Sequence, residues 1–324
     1  MSCDPSRACA TSTEAQEVAV DLNEADQPIN DRTSDSMARF LEKQSFDMAP
    51  QAFQGLVSKG ETVLVEVACS PESRLSAEIQ RLLGSEDAAV RCSHWNGCDL
   101  GTSAGVKKII DVIECRKPSH VWISPDCGPY SPMQAINQKT EAQVQALQDK
   151  RRVALKQYIG ASCIYQHCVQ RGIHVSWEWS QYCQGWRLPF MQKLIARYDP
   201  YFGTTQGCRV GLRDPKTQNL LKKGWKIMST SRKLAETMNM PCLCPKGYSH
   251  AKCEGSLTGL TAYYTMDFVK RVAQCMTQEM SHNLLMEELS GRTVLPQMFG
   301  EGPVCVCDHL REHGSDFQIG RAHV

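Results

Sequence analysis

Short apolar runs alternate with amphipathic stretches through the middle of the chain. Four of these runs are rich in β-branched and aromatic residues and nearly continuous, which is typical of buried strands. They are Thr62–Ala68, Ala88–Cys92, Val121–Ile123 and Ile173–Trp179. Apolar residues at helical spacing predict helices at Leu75–Leu83, Ser103–Glu114, Glu141–Arg171 and Met191–Tyr198. This alternation predicts an α/β fold with a doubly wound, mainly parallel, Rossmann-like sheet and flanking helices.

The same patterns divide the chain into segments. Strand-like pieces at Phe202–Val210 and Trp225–Thr230 and a helix at Thr261–Gln278 extend the α/β domain, which we place at residues 61–280. Residues 36–60 are predicted to form a helical lead-in. Residues 1–35, which are polar and acidic, are predicted to be disordered, and residues 281–318 to be poorly ordered. Residues 319–324 look like the translation of a sequencing adapter, so we expect the true carboxyl end to be missing.

Composition narrows the cellular setting. No apolar run reaches the roughly 20 residues that a membrane-spanning helix needs, and the amino terminus lacks a basic-then-apolar signal sequence. We therefore expect an intracellular protein, nuclear or cytoplasmic, that is neither secreted nor membrane-bound. In that setting the 17 cysteines are expected to be reduced thiols, metal ligands and a few reactive sites, rather than a disulfide framework.

Charge is distributed unevenly along the chain. Residues 1–35 hold eight acidic and two basic residues, so a chain of net charge +1 carries +7 over residues 36–324. Eight basic residues and one acidic residue, Asp214, fall between residues 207 and 233. The basic residues are Arg209, Arg213, Lys216, Lys222, Lys223, Lys226, Arg232 and Lys233. Such a run predicts a phosphate-contact surface and hence a nucleic-acid partner, although it is equally typical of a solvated face.

A cysteine follows the third predicted strand, in the sequence Ser124-Pro125-Asp126-Cys127-Gly128-Pro129. Two prolines and a glycine restrict this backbone, and open α/β sheets bind their ligands beyond the carboxyl ends of strands. Cys127 is therefore a candidate nucleophile, and the alternative is a buried cysteine in a proline-rich turn. The adjacent carboxylate of Asp126 is expected to raise the pKa of the Cys127 thiol.

Three carboxylates occupy unusual places. Glu66 lies inside the apolar first strand, either as a satisfied core group or facing a ligand. Asp99 follows the second strand, where an acidic residue suits a ribose or adenosyl group, although loops carry Asp routinely. Glu178 lies between two tryptophans, so burial should raise its pKa, unless it pairs with an arginine as a structural bridge. The loop at residues 69–74 has no glycine, which excludes the dinucleotide and phosphate-loop fingerprints.

Cysteine and histidine cluster twice near the carboxyl end. Cys242, Cys244, His250 and Cys253 give the spacing Cys-x-Cys-x5-His-x2-Cys, four ligands that zinc accepts within twelve residues. We predict a zinc-binding insert at residues 242–253, although the first spacing is tighter than in most zinc fingers. A second candidate cluster consists of Cys305, Cys307, His309 and His313.

These stretches together resemble a known family. Residues 124–131 resemble the Pro-Cys-x-x-aromatic-Ser motif of cytosine-5 DNA methyltransferases, and Glu178 falls where that family has its catalytic glutamate. Residues 63–276 are similar to methyltransferase-like domains in retroelement (retrotransposon) polyproteins of some protists. Those domains also carry a Cys-x-x-Gly-Leu-Arg/Lys segment, here Cys208 to Arg213, and a Cys…His…His segment, here Cys244, His250 and Cys253.

The resemblance implies a class I fold that uses S-adenosylmethionine and acts on cytosine, in DNA more than in RNA. Cys127 would add to carbon 6 of a flipped-out cytosine, Glu178 would hold ring nitrogen 3, and Arg213 or Arg209 would contact the nucleotide. The residues implied nearest the cofactor are Glu66, Cys69, Asp99, Ser124 and Pro125. The sequence departs from the family at Asp126, where the family has proline, and at Trp179-Ser180, where it has Asn-Val.

Two other interpretations use the same residues. The chain could be a catalytically inactive nucleic-acid-binding domain of a retroelement polyprotein, keeping the basic surface and a zinc site. It could instead be a cysteine hydrolase that pairs Cys127 with His174, although no oxyanion motif accompanies that pair.

Overall fold

The predicted alternation of strands and helices forms a six-stranded sheet covered by helices on both faces. The computed structural model describes residues 61–255 and 257–290. Its strands are β1 (Leu64–Val67), β2 (Ala89–Cys92), β3 (His120–Ile123), β4 (His174–Ser180), β5 (Tyr201–Gln206) and β6 (Gly224–Ser229). Its helices are α1 (Arg74–Leu83), α2 (Ser103–Arg116), α3 (Glu141–Gln170), α4 (Pro189–Tyr198), α5 (Arg232–Thr237), α6 (Leu257–Leu260) and α7 (Met266–Ser290).

The strand order in the sheet is β2-β1-β3-β4-β6-β5. Strands β1 to β4 pair in parallel, whereas β6 runs antiparallel to both of its neighbours. The sheet is therefore mixed but mainly parallel, as the sequence predicts, with one reversed strand that the sequence did not predict. Because β2 and β3 lie on opposite sides of β1, the winding reverses between β1 and β3, and a crevice opens there at the carboxyl ends of the strands.

Each face of the sheet has its own apolar layer. On one face, side chains of β1, β3 and β4 that include Val67, Ile123 and Trp177 pack against α2, α3 and α4. On the other face, Trp122 and Ile227 pack against α1, α5 and α7. The alternation of side chains along each strand separates these layers. Three helices on each face make the sheet doubly wound.

Local signals explain where several elements begin and end. The Ser73 hydroxyl accepts the Leu75 N–H at the start of α1, and Gly84 ends that helix in the left-handed conformation. A reciprocal capping box between Thr140 and Gln143 starts α3. The predicted strand at 202–210 is shorter than expected, because Gly207–Val210 turns as a 3-10 helix.

The last described helix differs most from its prediction. Helix α7 covers Met266–Ser290, so it starts later than predicted and extends into the segment predicted to be poorly ordered. Predictions for residues 1–60 and 291–324, including the cysteine and histidine cluster at 305–313, lie outside the described residues. Within the described ranges, no helix combines the length and the apolar composition needed to cross a membrane.

Candidate functional site

A cleft of about 860 Å³ opens at the carboxyl ends of β1, β2 and β3, where the winding of the sheet reverses. Its lining includes Cys69, His94, Asp99, Pro125, Asp126 and Gln157. The fold thus brings together three residues that the resemblance implied near a cofactor, namely Cys69, Asp99 and Pro125. We call this space the switch-point cleft. Its volume lies in the range, about 300–1,000 Å³, typical of small-molecule sites.

Ala68 lines the cleft directly after β1 and has a left-handed backbone, with φ of +60°. A non-glycine residue in that region is uncommon, and such strain is found often at ligand sites. The first loop therefore makes a turn that glycine favours, although its sequence contains no glycine. The absence of glycine does not prevent this loop from forming one wall of the cleft.

Two of the residues implied near the cofactor are not among those that line the cleft. The Glu66 carboxylate accepts hydrogen bonds from the hydroxyls of Ser73 (2.6 and 2.7 Å) and Ser76 (2.5 Å) under helix α1. Burial raises the pKa of Glu66. Its geometry is that of the satisfied core carboxylate that we considered as the alternative. Ser124 joins β3 to β1 through its backbone, since its N–H donates to the Val67 carbonyl at 3.2 Å.

The segment that carries Cys127, residues 124–129, is here called the thiol loop. Five consecutive carbonyl groups in it each accept a hydrogen bond from a side chain. The pairs are Trp179 Nε1 to Pro125 (2.8 Å), Tyr158 Oη to Asp126 (2.6 Å), Cys183 Sγ to Cys127 (3.9 Å), Gln134 Nε2 to Gly128 (2.9 Å) and Arg151 Nε to Pro129 (3.0 Å). Buried or constrained backbone needs such partners where no regular structure supplies them. The loop is therefore held from both β4 and α3.

Asp126 contributes to the same loop. Its Oδ1 accepts the N–H of Gly128 at 2.8 Å, which makes a local turn around the cysteine. Its charge raises the pKa of Cys127, as we expected from the sequence, but this effect is outweighed. The expected net increase is therefore wrong, because the sequence alone did not reveal which groups surround the thiol.

The pKa of Cys127 is lowered to about 7. The neighbouring Cys183 side chain is the largest cause, and the positive charge of Lys223 acts in the same direction. Burial and the Asp126 charge oppose them. A substantial fraction of Cys127 is then thiolate near neutral pH, which is the nucleophilic form.

Glu178 lies near the end of β4, level with the start of the thiol loop, since its neighbour Trp177 pairs with Ile123. Its Oε2 accepts a hydrogen bond of 2.6 Å from the hydroxyl of Tyr264, which takes the place that our alternative gave to an arginine. The pKa of Glu178 is raised to about 7, mainly by burial and also by the charge of Cys127. This direction is the one that the flanking tryptophans predicted.

The positive charge of Lys223 acts on both the thiol and the carboxyl group. It precedes β6, and its charge favours the ionised forms of both Cys127 and Glu178. Its Nζ donates to the Thr261 carbonyl at 2.5 Å and lies 5.6 Å from the centre of the Trp225 ring. The thiol and the carboxyl group both have pKa values near 7 and are under the influence of one lysine. They meet different apolar layers, since Cys127 packs against the layer of α2, α3 and α4, whereas Tyr264, the partner of Glu178, packs against the other layer.

Sequence reasoning missed three members of this group. Lys223 was noticed only as one charge in a basic run, and Cys183 was not singled out. Tyr264 lies 86 residues after Glu178 and carries no local signal. Their closeness to Cys127 and Glu178 follows from the order β3-β4-β6 in the sheet, which the sequence does not show.

The arginines implied to contact a nucleotide lie beyond β5. Arg213 is exposed on a hairpin and donates from Nη1 to the Gln218 carbonyl at 2.8 Å. Arg209 lies closer to Cys244, since its positive charge favours the ionised form of that thiol. Both arginines lie at the same end of the sheet as the thiol loop, because β5 runs in the same direction as β4 and both have their carboxyl ends there.

A cluster of three cysteines and one histidine lies at the same edge. Cys208, Cys242, Cys244 and His250 each place a ligand atom within 4.8 Å of all the others, and this Cys3His cluster could hold a metal ion. The predicted ligand Cys253 is not a member, because its Sγ lies 3.1 Å from the Thr261 hydroxyl. Cys208, more than thirty residues earlier, takes its place. Three of the four predicted residues therefore belong to the cluster, and Cys208 stands where Cys253 was predicted.

The proposed pairing of Cys127 with His174 is wrong. His174 begins β4 and pairs with His120 at the amino ends of the strands, whereas Cys127 follows the carboxyl end of β3. The length of β4, at about 3.3 Å per residue, separates the two side chains. A cysteine hydrolase built on these two residues is excluded.

The basic run does not form one surface. Residues 207–223 connect β5 to β6 at the edge that carries the thiol loop. Arg232 and Lys233 follow β6, which runs antiparallel, so they lie at the opposite edge. Lys226 packs over Phe202 and Trp186, at 4.4 and 5.0 Å from the ring centres. The predicted single phosphate-contact surface is thus divided between two edges.

Comparisons with protein-family models, with curated proteins and with solved structures find no match to this chain.

Proposed function

We propose that this chain is an S-adenosylmethionine-dependent methyltransferase that acts on cytosine in nucleic acid, with Cys127 as nucleophile and Glu178 as the group that holds the base. One observation carries the proposal. Cys127 follows β3 and Glu178 lies near the end of the neighbouring parallel strand β4; both have a pKa near 7, and the chain neighbours of Cys127 line the switch-point cleft. Clusters of perturbed ionisable groups next to a cleft are typical of catalytic sites.

The chemistry requires both groups in the states that their surroundings favour. The Cys127 thiolate forms a bond to carbon 6 of cytosine, and the electron pair of the 5,6 double bond moves to carbon 5. A protonated Glu178 donates a hydrogen bond to ring nitrogen 3 and stabilises the negative charge that spreads over the ring. Carbon 5 would take a methyl group from the sulfonium of S-adenosylmethionine, which would be released as a thioether, and would then lose its proton to water; the Cys127 thiolate would leave as the 5,6 double bond re-forms.

The cleft supports the assignment of a cofactor to this site. S-adenosylmethionine would supply the methyl group, and Cys69, Asp99 and Pro125 would line its place. The cleft has the volume of a small-molecule site, and it is bordered by Asp126 and Gly128, the two chain neighbours of Cys127. A ligand there would therefore lie directly beside the thiol loop.

The test combines transfer and trapping. The purified chain is mixed with cytosine-containing DNA and S-adenosylmethionine labelled on its methyl group, and labelled DNA is measured. In parallel, DNA containing 5-fluorocytosine is used, because fluorine at carbon 5 cannot leave as a proton and the covalent complex persists. We expect transfer and trapping in the natural chain, and neither in Cys127→Ser. Cys115→Ser, at an exposed cysteine of α2, is the matched control and should behave as the natural chain.

The outcomes separate the proposal from its alternative. Transfer that persists in Cys127→Ser contradicts the role of this thiol. Absence of both transfer and S-adenosylmethionine binding by calorimetry, with salt-sensitive binding of DNA retained, favours a non-catalytic nucleic-acid-binding domain.

We also propose that the Cys3His cluster binds zinc. Zinc prefers four nitrogen and sulfur ligands in a tetrahedron, with bonds of about 2.3 Å to sulfur and 2.0 Å to nitrogen, which places nitrogen and sulfur about 3.5 Å apart. His250 Nε2 lies 3.2 Å from Cys244 Sγ and 3.6 Å from Cys242 Sγ, close to that spacing. Elemental analysis of the purified chain should find one zinc ion per chain, and a metal-free folded chain would contradict the proposal.

A further inference from the structure

Tyr264, the partner of Glu178, also takes part in a second hydrogen bond. The indole Nε1 of Trp122 in β3 donates to the Tyr264 hydroxyl oxygen at 3.3 Å. The Tyr264 hydroxyl in turn donates to Glu178 Oε2 at 2.6 Å. Side chains from β3, β4 and the segment before α7 therefore form one chain of hydrogen bonds at the proposed site.

The direction of both hydrogen bonds follows from the atoms that make them. An indole nitrogen can only donate, so the Tyr264 oxygen accepts the bond from Trp122. A phenol carries a single proton, and here that proton is directed to Glu178. Oε2 of Glu178 is therefore an acceptor, and when the carboxyl group is protonated its proton belongs on the other oxygen, Oε1.

Oε1 of Glu178 has no hydrogen-bond partner among the residues that the structure describes, although Glu178 is only 8% exposed. Leaving a buried polar atom without a partner costs free energy, so such an atom at a candidate site is a place where a ligand atom would bind. The carboxyl group thus has one oxygen satisfied by the protein and one oxygen open to a ligand.

The Tyr264 hydroxyl has little freedom to move away from Glu178. Its ring stacks on Phe268 with 4.5 Å between ring centres, and it meets the rings of Trp122 and Trp225 edge-on at 6.2 Å each. The Tyr264 carbonyl accepts a hydrogen bond of 2.9 Å from Arg74 of α1. Both the ring and the backbone of Tyr264 are therefore held by neighbouring elements.

We propose that Tyr264 is a positioning residue for Glu178, which holds Oε2 and leaves Oε1 as the oxygen that carries the proton and meets the ligand. This role rests on the proposed function of Glu178, in which Oε1 donates to ring nitrogen 3 of cytosine. Tyr264 itself touches neither the base nor the cofactor. A structural tyrosine would affect stability alone, whereas a donor to the carboxylate also changes the pH at which Glu178 loses its proton.

The test follows the side-chain carboxyl carbons of glutamate by NMR between pH 5 and 9 in the complete folded chain, isotope-labelled at those carbons. Glu178→Gln identifies the signal of Glu178, which should titrate in the natural chain with a midpoint near pH 7. Tyr264→Phe keeps the ring and removes the hydroxyl. The midpoint should then rise by about one pH unit, because burial, the largest influence on the pKa of Glu178, is no longer opposed by this hydrogen bond.

The other ionisable groups that act on this pair stay unchanged in Tyr264→Phe. They are Cys127, Cys183 and Lys223 around Glu178, and Glu66 near Tyr264. Tyr165→Phe is the matched control, since it removes a buried hydroxyl on α3 that has no hydrogen-bond partner. The midpoint of Glu178 should not move in that variant.

A second chain keeps the test decisive if Tyr264→Phe does not fold. A fluorinated tyrosine incorporated at position 264 keeps the hydroxyl and makes it a stronger donor, so the midpoint of Glu178 should fall. An unchanged midpoint in whichever of these two chains folds would overturn the proposal. That result leaves methyl transfer open to its own test, because the titration needs neither nucleic acid nor S-adenosylmethionine. A shifted midpoint without methyl transfer would refute only the proposed reaction.

Where methyl transfer is measured, its pH profile tests the role of Oε1. The reaction needs a protonated Glu178, so the alkaline limb of kcat/KM against pH should move in Tyr264→Phe by the same amount as the NMR midpoint. An alkaline limb that stays in place while the NMR midpoint moves would also overturn the proposal.

Discussion

At the scale of single residues, the surroundings of each ionisable group decide its chemistry more than its type does. Asp126 is next to Cys127 in the chain, yet its effect on that thiol is smaller than the effect of Cys183, 56 residues away. Glu178 is affected most by its burial. Desolvation can be predicted from the sequence where a carboxylate lies between two tryptophans. An interaction between two loops that are distant in the chain cannot be predicted in this way.

The raised pKa of Glu178 should be measurable as a dependence of stability on pH. Its ordinary pKa of 4.5 applies in the unfolded chain, and its pKa in the folded chain is about 7. Below pH 4.5 Glu178 is protonated in both the folded and the unfolded chain, and the free energy of unfolding is highest. As the pH rises from 4.5 to about 7, the unfolded chain binds fewer protons than the folded chain, so the free energy of unfolding falls. Glu178→Gln should lack this loss, which amounts to about 3 kcal/mol.

Urea unfolding at pH 4.5, 6 and 8 measures the difference in unfolding free energy between Glu178→Gln and the natural chain. That difference should move in favour of the variant as the pH rises. Glu236→Gln is the matched control, since Glu236 is exposed in an ion pair with Arg232, and its difference should stay nearly constant. A constant difference for Glu178→Gln as well would show that Glu178 titrates normally.

At the scale of elements, the thiol loop is shaped by donors on β4 and α3. Its prolines and glycine indicated a restricted backbone, but they did not identify the side chains that fix it. Trp179 and Tyr158 are buried aromatic residues whose polar atoms find partners in the loop. Their apolar parts belong to the core, so the core and the candidate site are built from the same side chains.

Removing one donor should loosen this loop. Tyr158→Phe leaves the Asp126 carbonyl without its side-chain partner and should lower the unfolding free energy by about 1–2 kcal/mol. Tyr165→Phe removes a buried hydroxyl seven residues later on α3 that has no hydrogen-bond partner, so it should change stability by less than about 0.5 kcal/mol. Urea midpoints of both variants test this, and equal losses would contradict the role of Tyr158.

The fourth member of the Cys3His cluster could not be predicted from local spacing either. Cys242, Cys244 and His250 are close in sequence, so their spacing was informative, whereas Cys208 follows β5 and is brought to them by the sheet. Cys208→Ser should lower the zinc content and the melting temperature of the purified chain. Cys253→Ser should leave the zinc content unchanged, because its thiol faces Thr261. The reverse result would restore the ligand set predicted from the sequence.

At the scale of the whole molecule, the order of strands and helices was largely predictable, and the direction of β6 was not. Alternating apolar runs identify β1 to β4 because these strands are buried on both faces. The sequence of β6, Gly224–Ser229, has no feature that distinguishes an antiparallel strand from a parallel one. Its reversal nevertheless determines the site, since it brings Lys223 to the thiol loop and sends Arg232 to the opposite edge.

This division of the basic run makes a prediction about nucleic-acid binding. Lys216 and Lys222 are exposed on the connection between β5 and β6, at the edge of the thiol loop, whereas Arg232 and Lys233 are exposed at the other edge. If the nucleotide enters beside Cys127, Lys216→Ala with Lys222→Ala should weaken DNA binding. The slope of log affinity against log salt should fall in magnitude by about 2, since each phosphate contact contributes about 0.9.

The matched control is Arg232→Ala with Lys233→Ala, which removes the same charge from the chain. Its net charge equals that of the Lys216 and Lys222 variant, so a general electrostatic attraction would make the two variants bind alike. If a nucleic-acid strand binds at the end of the sheet that carries the thiol loop, the two variants differ, because only Lys216 and Lys222 then contact phosphates. Equal salt slopes for both variants in a filter-binding titration would place the nucleic acid elsewhere on the molecule, away from Cys127.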